Sequence, residues 1–302
     1  MHTSPSILVI APFFGPWPKW MPLFLESCRL NADITWLLLG KVSLPWEVPS
    51  NVHSEKMGLY EILKRAQVAT GFDVQKENYS QCDLRPLYGK IFADYLHGYD
   101  FWGHCDVDIL WGRLREFFTD QILEKYSIIS TKRNTVGGPF VLYRNTPQIN
   151  DFFLEVPGCQ KKLEFPMWVS FDETLLTRHI QKLMKKNHLP FPVFWKNNWA
   201  VDCAKRRTLS SSWIWKQGRI QDAQAKEYMA LHFGTWKHTF RFIESNVARH
   251  AFHVTRFGIF SDPLPQLHYL KWYLEEFCTL SFWRWRLADV CRKVLRGICR
   301  SL

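Results

Sequence analysis

The sequence predicts an α/β protein whose sheet contains parallel strands. Residues 7–14 and 34–39 are apolar runs of strand length, and residues 20–28 between them carry helical spacing. This close alternation is typical of a βαβ unit, which pairs its strands in parallel. With 302 residues and 47% hydrophobic content, the chain can bury one large core, or one core and a small subdomain.

The elements that follow continue the α/β pattern. Residues 51–57 predict a third strand, and residues 58–69 predict a helix with apolar residues on one face. Pro86 suits the first turn of a helix predicted over 85–96, because that position needs no backbone N–H. Beyond it, the pattern predicts a strand ending near residue 105, a helix over 114–126, strands over 127–130 and 140–143, and a helix over 171–186.

Two regions depart from this pattern. Residues 190–230 have poor periodicity apart from a hairpin-like stretch over 213–220, so we expect a small elaboration of the main domain there. The chain's end shows helical spacing with an apolar stripe opposite a basic side. The stripe comprises Val290, Cys291, Val294, Leu295, Ile298 and Leu302, and the basic side comprises Arg292, Lys293, Arg296 and Arg300. We therefore expect one domain over 1–262 and a basic amphipathic helical tail over 263–302.

The predicted tail suits the surface of an anionic membrane. Trp283 and Trp285 precede it, and each basic residue near such a surface contributes about 1 kcal/mol. Packing of the tail against the rest of the chain or a partner protein is the alternative. The sequence contains no stretch approaching the ~20 apolar residues of a spanning helix and begins without the basic segment of a signal peptide. We expect a cytoplasmic protein bound peripherally to the inner face of the cell membrane.

Charge and cysteine usage narrow the classes of partner. The formal charge of +11 suits nucleic acid, anionic lipid or a phosphorylated substrate. Since no RNA- or DNA-binding signature accompanies it, we expect no nucleic-acid partner. The 8 cysteines show neither a C-x-x-C pair nor zinc-type spacing, which speaks against a disulfide framework or a zinc site.

Asp106 and Asp108 form the most informative motif, because they follow a buried-looking apolar run. On an extended chain, residues two apart point to the same side, so both carboxylates could share one hard cation. A cation held in this way neutralises the charge that builds on a leaving nucleoside diphosphate during sugar transfer. The alternative is ordinary, since Asp-x-Asp triplets also occur as turn formers or solvated pairs.

With this motif the chain resembles the GT-A glycosyltransferases, in which an Asp-x-Asp motif follows a central strand and binds manganese or magnesium together with a nucleotide sugar. Residues 81–89 (QCDLRPLYG) and 99–108 (YDFWGHCDVD) are also similar to bacterial proteins linked to surface-polysaccharide synthesis. The resemblance spans roughly residues 5–240. It implies a GT-A-like, Rossmann-type mixed sheet flanked by helices, with Mn²⁺ or Mg²⁺ as the cofactor and Asp106 in contact with the donor.

His232 and Lys237 complete this hypothesis. A neutral imidazole can join two aspartates and a diphosphate around manganese, while a lysine five residues later can neutralise phosphate charge. The stretch resembles the closing motif of retaining family-eight glycosyltransferases, in which a histidine binds the metal and a lysine contacts the diphosphate. Here the spacing is one residue shorter and the Pro-Trp of that motif is absent, so retention of configuration is not carried over. A hydrogen-bonded structural histidine is the alternative for His232.

Two loops at predicted strand ends are candidate donor contacts. Pro12 and Phe13 lie where the first strand ends, a position that in α/β sheets collects ligands and here could hold a nucleobase. Gly137 and Gly138 permit a close approach between backbone and ligand. A rigid structural turn at the first loop and a simple hairpin or bulge at the second are the alternatives.

Four charged residues complete the candidate set. Asp83 and Arg85 precede a predicted helix; the resemblance implies contacts to the ribose or donor sugar, and a local cap or salt bridge is the alternative. Asp172 and Glu173 are candidate catalytic bases, because an inverting transferase needs a carboxylate to take the proton of the attacking hydroxyl. Their place at a helix N-terminus is equally explained by the helix dipole.

The sequence as a whole predicts a metal-dependent glycosyltransferase. We expect it to move a hexose, with galactose as one candidate, from a UDP-sugar to a lipid-linked or polysaccharide acceptor in O-antigen or capsule synthesis. The region over 190–230 would shape the acceptor side. A noncatalytic nucleotide-sugar or glycan-binding assembly factor and a metal-dependent phosphoesterase are the alternatives. A two-metal phosphoesterase would need further carboxylates or histidines near Asp106, and the sequence there supplies few.

Overall fold

The fold is described from a computed structural model, which covers residues 4–76, 78–195, 199–203, 212–240, 242–243 and 251–261. The chain divides into two compact units. As far as these ranges reach, unit 1 comprises residues 4–17, 31–107 and 115–199, and unit 2 comprises residues 18–30, 108–114 and 200–261. Among the helices in these ranges, none combines the length and apolar character that crossing a bilayer requires.

Strands and helices alternate through the first half of the chain. The strands are β1 Ile7–Phe13, β2 Thr35–Gly40, β3 Val52–Lys56, β4 Phe101–Cys105, β5 Ile109–Trp111, β6 Ile128–Ser130, β7 Phe140–Arg144, β8 Val193–Trp195, β9 Ala200–Asp202, β10 Ser212–Lys216, β11 Arg219–Gln221, β12 Glu227–Tyr228, β13 Ala230–His232, β14 Phe242–Ile243, β15 Ala251–Thr255 and β16 Gly258–Ser261. The α-helices are α1 Met21–Arg29, α2 Leu59–Thr70, α3 Tyr88–Ile91, α4 Asp120–Lys125, α5 Pro147–Asp151, α6 Cys159–Glu164 and α7 Thr177–Lys185.

Unit 1 is built on a seven-stranded mixed sheet in the order β3-β2-β1-β4-β7-β6-β8. The strands from β3 to β4 are parallel, as the βαβ spacing predicts, whereas β7 is antiparallel to both β4 and β6. One face of the sheet packs against α2, α3, α5 and α7 in a single apolar core. The predicted mixed α/β architecture is therefore confirmed for this unit.

The centre of this sheet brings the Asp-x-Asp motif to a strand end. β4 is buried along its whole length and pairs with β1 on one side and β7 on the other. Trp102 of β4 stacks on its cross-strand partner Tyr143, with ring centroids 4.3 Å apart. The strand ends at Cys105, immediately before Asp106. The motif itself lies in a bend, not on the extended chain that the sequence predicts, because the chain leaves this sheet there to form β5.

Three predicted helices differ from the structure in detail. Residues 85–96 form the end of a 3-10 run over Asn78–Leu87 and then the single turn of α3. Residues 114–126 form a 3-10 turn over Leu114–Glu116 and, separately, α4. Residues 171–186 begin as a π-helical turn over Phe171–Leu176 before α7. Wide turns of this kind occur frequently at functional sites, and this one carries Asp172 and Glu173.

A buried ion pair holds the chain that leads into the π-helical turn. Lys76 and Asp83 have no exposed side-chain surface, and their Nζ–Oδ2 distance is 3.0 Å. The lysine also donates to three backbone carbonyls between residues 162 and 167, at 2.6–3.2 Å. The aspartate accepts from the backbone N–H groups of Val169 and Phe171, at 2.9 and 2.8 Å. Both charges are thus satisfied, and together they anchor the segment just before Asp172.

Unit 2 contains two sheets. A three-stranded sheet has the order β5-β13-β9, and a six-stranded, mostly antiparallel sheet has the order β12-β11-β10-β15-β16-β14. The Trp215 indole N–H donates to the Trp111 carbonyl at 3.0 Å and joins the two sheets. Leu23 of α1 and Leu110 of β5 lie in the apolar core of this unit.

The region over 190–230, predicted as a small elaboration, contains β8 to β12 in its described part, and its role as an elaboration stays a prediction. The hairpin predicted over 213–220 is confirmed as β10 and β11, whose turn uses Gln217 and Gly218 at positive φ. This hairpin belongs to the six-stranded sheet, which continues to Ser261. The amphipathic tail predicted over 263–302 lies outside the described residues, and the domain boundary at residue 262 stays a prediction.

We predict that Lys76→Met destabilises the protein by about 3–5 kcal/mol, because removing one member of a buried pair leaves the Asp83 charge without its partner. The free energy of unfolding from urea denaturation measures this loss. Lys64→Met on the exposed side of α2 serves as the control and should change stability by less than about 0.5 kcal/mol. Equal stabilities of the Lys76 and Lys64 variants would contradict the anchoring role.

Candidate functional site

Asp108 is the residue around which the site in unit 2 is arranged. It immediately precedes β5, which pairs antiparallel with β13 so that Ile109 faces His232 in the register. The backbone N–H of Phe233 donates to the Asp108 carbonyl at 2.9 Å. This strand pairing carries His232, and the 3-10 turn Gly234–His238 after it, to the position of Asp108.

Two basic side chains engage the Asp108 carboxylate. Lys237 Nζ donates to Oδ2 at 2.8 Å, and His232 Nε2 lies 3.5 Å from the same oxygen. The Asp108 side chain is only 5% exposed. Burial by itself would raise the pKa of this carboxyl, but attraction to His232 and Lys237 outweighs burial and holds the pKa well below its usual range. Asp108 is therefore an anion at any physiological pH.

Asp202 contributes to the site without any signal in the sequence that would reveal it. β13 pairs in parallel with β9, and this register sets His232 beside Asp202. The Asp202 Oδ1 lies 3.6 Å from His232 Nδ1, on the opposite side of the ring from Asp108. A carboxylate on one ring nitrogen favours a proton there and leaves the other nitrogen free to ligate a metal. Only the pairing of two short strands far apart in sequence creates this contact.

Asp106, Asp108 and His232 form a group that could hold a metal ion. Each offers one ligand atom, and these atoms all lie within 4.8 Å of one another. Two carboxylate oxygens and one imidazole nitrogen suit a divalent ion such as Mn²⁺, and the carboxylates alone suit Mg²⁺. The donor set therefore fits the predicted cofactor. No group of this kind other than this one is found in the described ranges.

Arg85 is the central cation of the site in unit 1. Its guanidinium donates to Asp106 Oδ1 and, through the other terminal nitrogen, to the Gly138 carbonyl at 2.9 Å. That second nitrogen also lies 3.9 Å from Asp172 Oδ2. Arg85 thus joins the Asp-x-Asp motif, the glycine pair and the acid pair, all of which the sequence indicates as separate candidates. The side chain is 14% exposed.

The two glycines lie in the connection between β6 and β7, and both need the conformational freedom of glycine. Their φ angles are 133° for Gly137 and 87° for Gly138. A Cβ on Gly137 would come within 2.9 Å of Asp172 Oδ2, and one on Gly138 would collide with the Lys132 ammonium group. These glycines therefore lie against charged side chains of the site, and the predicted close approach of their backbone to a ligand stays a prediction.

Asp172 and Glu173 have different surroundings although they are neighbours in sequence. The Glu173 side chain is 36% exposed and its Oε1 lies 2.8 Å from Lys132 Nζ, so its charge is paired. The Asp172 side chain is 2% exposed; its Oδ1 accepts from the Glu173 N–H at 2.7 Å, and its Oδ2 has no hydrogen-bond partner among the described residues. Burial raises the pKa of Asp172 to about 7; Arg85 counters this and Glu173 adds to it. Glu173 is the more accessible carboxylate.

His104 is a further buried polar residue that the sequence does not single out. It lies on β4, 1% exposed, with its ring centroid 6.3 Å from those of Tyr88 and Tyr143. Neither ring nitrogen has a hydrogen-bond partner among the residues that the structure covers. Burial lowers the pKa of His104, with Arg85 and Lys132 adding to the effect, so the ring is neutral.

The remaining predicted donor contacts lie elsewhere in unit 1. Asp83 belongs to the buried pair with Lys76, and both of its oxygens accept hydrogen bonds from the protein, which leaves no exposed surface for a donor. Pro12 and Phe13 form the end of β1, beyond the part of that strand that pairs with β4. Phe13 packs against Trp17 with ring centroids 5.6 Å apart. Donor contact by these two residues stays a prediction.

Comparisons with known proteins are uninformative about activity. The model of a family of unknown function, DUF6625, matches residues 9–262. No curated protein matches the sequence. A crystal structure of the galactosyltransferase LgtC with donor and acceptor sugar analogs is 9% identical, with a TM-score of 0.36, over 62% of this chain and 72% of that one. An active-site mutant of LgtC gives 9% identity and a TM-score of 0.37 over the same shares. A likeness this distant decides neither fold nor activity.

We predict that Asp172→Asn changes how stability depends on pH. The pKa of Asp172 in the folded protein lies above its unfolded value, so its contribution to stability is complete below about pH 4 and is lost as the pH rises towards 7. The neutral amide cannot ionise and removes this loss. Urea denaturation between pH 5 and 8 should therefore show a steeper decline for the wild type than for the variant. Parallel curves would contradict the assignment.

Proposed function

The chain belongs to the family of unknown function DUF6625, and we propose that it is a metal-dependent glycosyltransferase of GT-A type. It would transfer a hexose, with galactose as one candidate, from a UDP-sugar to a lipid-linked or polysaccharide acceptor in O-antigen or capsule synthesis. The observation that carries this proposal is the group of Asp106, Asp108 and His232, with Lys237 bound to Asp108. Two carboxylates, an imidazole and an ammonium group together match the needs of a metal diphosphate.

In this proposal the three ligands hold a divalent ion, most simply Mn²⁺. An ion held there would supply the positive charge that neutralises the diphosphate as the sugar–phosphate bond breaks. Asp202, 3.6 Å from His232 Nδ1, would favour a proton on that nitrogen, so that Nε2 could serve as the ligand. Lys237 contributes a charge-assisted hydrogen bond to the diphosphate.

Arg85 and the glycine pair of unit 1 are proposed to contact the donor sugar. Arg85 is well suited to bind hydroxyl or phosphate oxygens, because Asp106, Gly138 and Asp172 fix the direction of its guanidinium. Gly137 and Gly138 allow the backbone to pass close to Asp172 and Lys132, and their contact with the donor stays part of the proposal. Pro12 and Phe13 are proposed to contact the nucleobase, since they end the first parallel strand.

Glu173 is the proposed catalytic carboxylate. In an inverting transfer, the acceptor oxygen forms a bond to the anomeric carbon, the bond from that carbon to the diphosphate oxygen breaks, and the acceptor proton passes to the base. Glu173 is partly exposed and pairs with Lys132, so in this proposal its carboxylate is accessible to receive that proton. Asp172 is buried, which raises its pKa to about 7, and it lies next to Arg85, which suits a positioning role.

The acceptor class and the cellular location belong to the same proposal. A lipid-linked acceptor would bring the enzyme to the inner face of the cell membrane, and the basic stripe of the sequence over 290–300 would favour an anionic surface. The phosphoesterase alternative is disfavoured, because a two-metal centre needs more carboxylate or histidine ligands than the group around Asp106 supplies.

We predict that Asp106→Ala and Asp108→Ala each lower transfer from a UDP-sugar by at least about 100-fold, because each removes an anionic ligand of the ion. Calorimetric titration should show Mn²⁺ binding lost in both variants, and a chelator should abolish wild-type turnover. Glu47→Ala, which removes an exposed carboxylate elsewhere in unit 1, should retain binding and turnover. Full activity of either aspartate variant in the presence of chelator would refute the metal-dependent mechanism, and Mn²⁺ binding with no turnover for any sugar nucleotide would favour the noncatalytic alternative.

We also predict that Glu173→Gln lowers kcat by about 100- to 10,000-fold, the usual effect of losing a general base. UDP affinity should change by no more than about twofold, since the base acts on the acceptor and not on the donor. Steady-state kinetics and UDP calorimetry separate the two effects. Glu47→Gln provides a matched carboxylate-to-amide control. A normal kcat for Glu173→Gln, or a product with retained anomeric configuration, would exclude this role.

A further inference from the structure

The two carboxylates of the proposed metal group are each bound to a cation of the protein. Lys237 Nζ donates to Asp108 Oδ2 at 2.8 Å within unit 2, and Arg85 donates to Asp106 Oδ1 within unit 1. A divalent ion that binds these oxygens must therefore compete with, or sit beside, a positive charge already there. The affinity of the site for the ion therefore depends on whether each of these two cations can move away from its carboxylate.

The two cations differ in how exposed their side chains are. Arg85 is 14% exposed and also interacts with the Gly138 carbonyl and Asp172, so its guanidinium has fixed acceptors on several sides. Lys237 is 35% exposed, whereas the Asp108 side chain to which it donates is 5% exposed. A flexible four-carbon stem that reaches from the surface onto a buried carboxylate can swing away without disturbing the core. Lys237 is the cation that can exchange partners.

The backbone that carries Lys237 is fixed close to Asp108. The Phe233 N–H donates to the Asp108 carbonyl at 2.9 Å, and the Trp236 N–H donates to the Phe233 carbonyl at 3.0 Å. Gly234 in the same turn has a φ of 54°, and the Trp236 side chain is buried. Only the Lys237 side chain needs to rotate, so the ammonium stays within reach of both the carboxylate and any diphosphate bound at the ion.

We infer that Lys237 couples metal binding to diphosphate binding by changing its partner from Asp108 to a phosphate oxygen. This inference rests on the proposed function. On Asp108 the ammonium group weakens metal affinity, because it occupies a ligand oxygen and repels the ion. Once a nucleoside diphosphate binds, Lys237 moves to the phosphate and the carboxylate becomes fully available to the ion. The metal and the nucleotide therefore bind with positive cooperativity, and part of that coupling resides in one side chain.

A fixed counter-ion would behave differently. If Lys237 stayed on Asp108 whether or not a nucleotide is bound, its removal would also tighten metal binding, because a competing positive charge is lost, but UDP would then enhance Mn²⁺ affinity equally in the variant and the wild type. Under partner exchange, removal of the ammonium should tighten metal binding to the protein alone, weaken nucleotide binding to the metal-loaded protein, and reduce the enhancement of Mn²⁺ affinity by UDP. The size of that enhancement thus distinguishes the two roles.

The test is a thermodynamic cycle with Mn²⁺ and UDP on the full chain. Mn²⁺ is titrated by calorimetry, and by electron paramagnetic resonance of the free ion, with and without saturating UDP. For Lys237→Met we expect Mn²⁺ affinity without UDP to rise about five- to tenfold, and UDP affinity at saturating Mn²⁺ to fall about tenfold or more, the scale of one charge-assisted hydrogen bond. UDP should tighten Mn²⁺ binding less in the variant than in the wild type.

Two further variants serve as controls. Lys216→Met removes the same charge from an exposed position on β10 and should leave both affinities within about twofold of the wild type. Lys237→Arg retains the cation and should keep the weak metal affinity of the wild type, which also guards against a fold defect in Lys237→Met. A rise in metal affinity together with a smaller enhancement of Mn²⁺ binding by UDP, in Lys237→Met and in neither control, supports partner exchange.

The results that would contradict partner exchange differ from those that would contradict the proposed function. Unchanged or weakened Mn²⁺ binding in Lys237→Met, with normal binding and turnover in the wild type, would overturn the exchange and leave the proposed function intact. An equal rise in Lys216→Met would assign the effect to net charge and overturn it as well. If the wild type bound no Mn²⁺ with or without UDP, this result would refute the proposed metal centre itself.

Discussion

The burial of Asp108 is the constraint on which the proposed metal centre depends. A carboxylate that is 5% exposed loses most of its hydration, and the cost is several kcal/mol unless cations and hydrogen bonds replace the water. Lys237 and His232 provide this replacement. Both reach Asp108 because β13 pairs with β5 and the Phe233 N–H binds the Asp108 carbonyl. Strand pairing therefore brings the cations that compensate the buried Asp108 charge.

Unit 1 also contains buried charges that need partners, and it provides those partners in two ways. Lys76 and Asp83 are enclosed completely, with every contact made to the protein, so their pair can only stabilise the chain that precedes the π-helical turn. Arg85 binds Asp106 and Gly138 yet retains some exposure. A charge whose partners are all internal acts on stability, whereas a charge that remains accessible can also act on a ligand. This difference separates Asp83 from Arg85, although only one residue lies between them.

The sequence predicts the strands near the site well and several of the helices less well. β1, β2, β3 and β4 follow from apolar runs of strand length, and each boundary differs by only one or two residues from the prediction. The helices predicted after residue 85 differ more from the structure. Their apolar spacing is compatible with 3-10 and π-helical turns as well as with α-helix. The six-stranded sheet of unit 2 was not predicted beyond its first hairpin, since strands of two to five residues carry little periodicity.

The sequence by itself determined the types of residue available for chemistry and the local spacing of Asp106 and Asp108, because two residues of chain keep their backbones within about 7 Å of each other. It also pointed to His232 and Lys237 through the chemistry of their side chains. Only the tertiary structure decided which of these groups meet. The contacts of Asp202 with His232, Lys132 with Glu173, and Lys76 with Asp83 and the segment before Asp172 depend on strand register and chain packing. Register and packing are set by the burial of apolar surface along the whole unit, and no local motif encodes them.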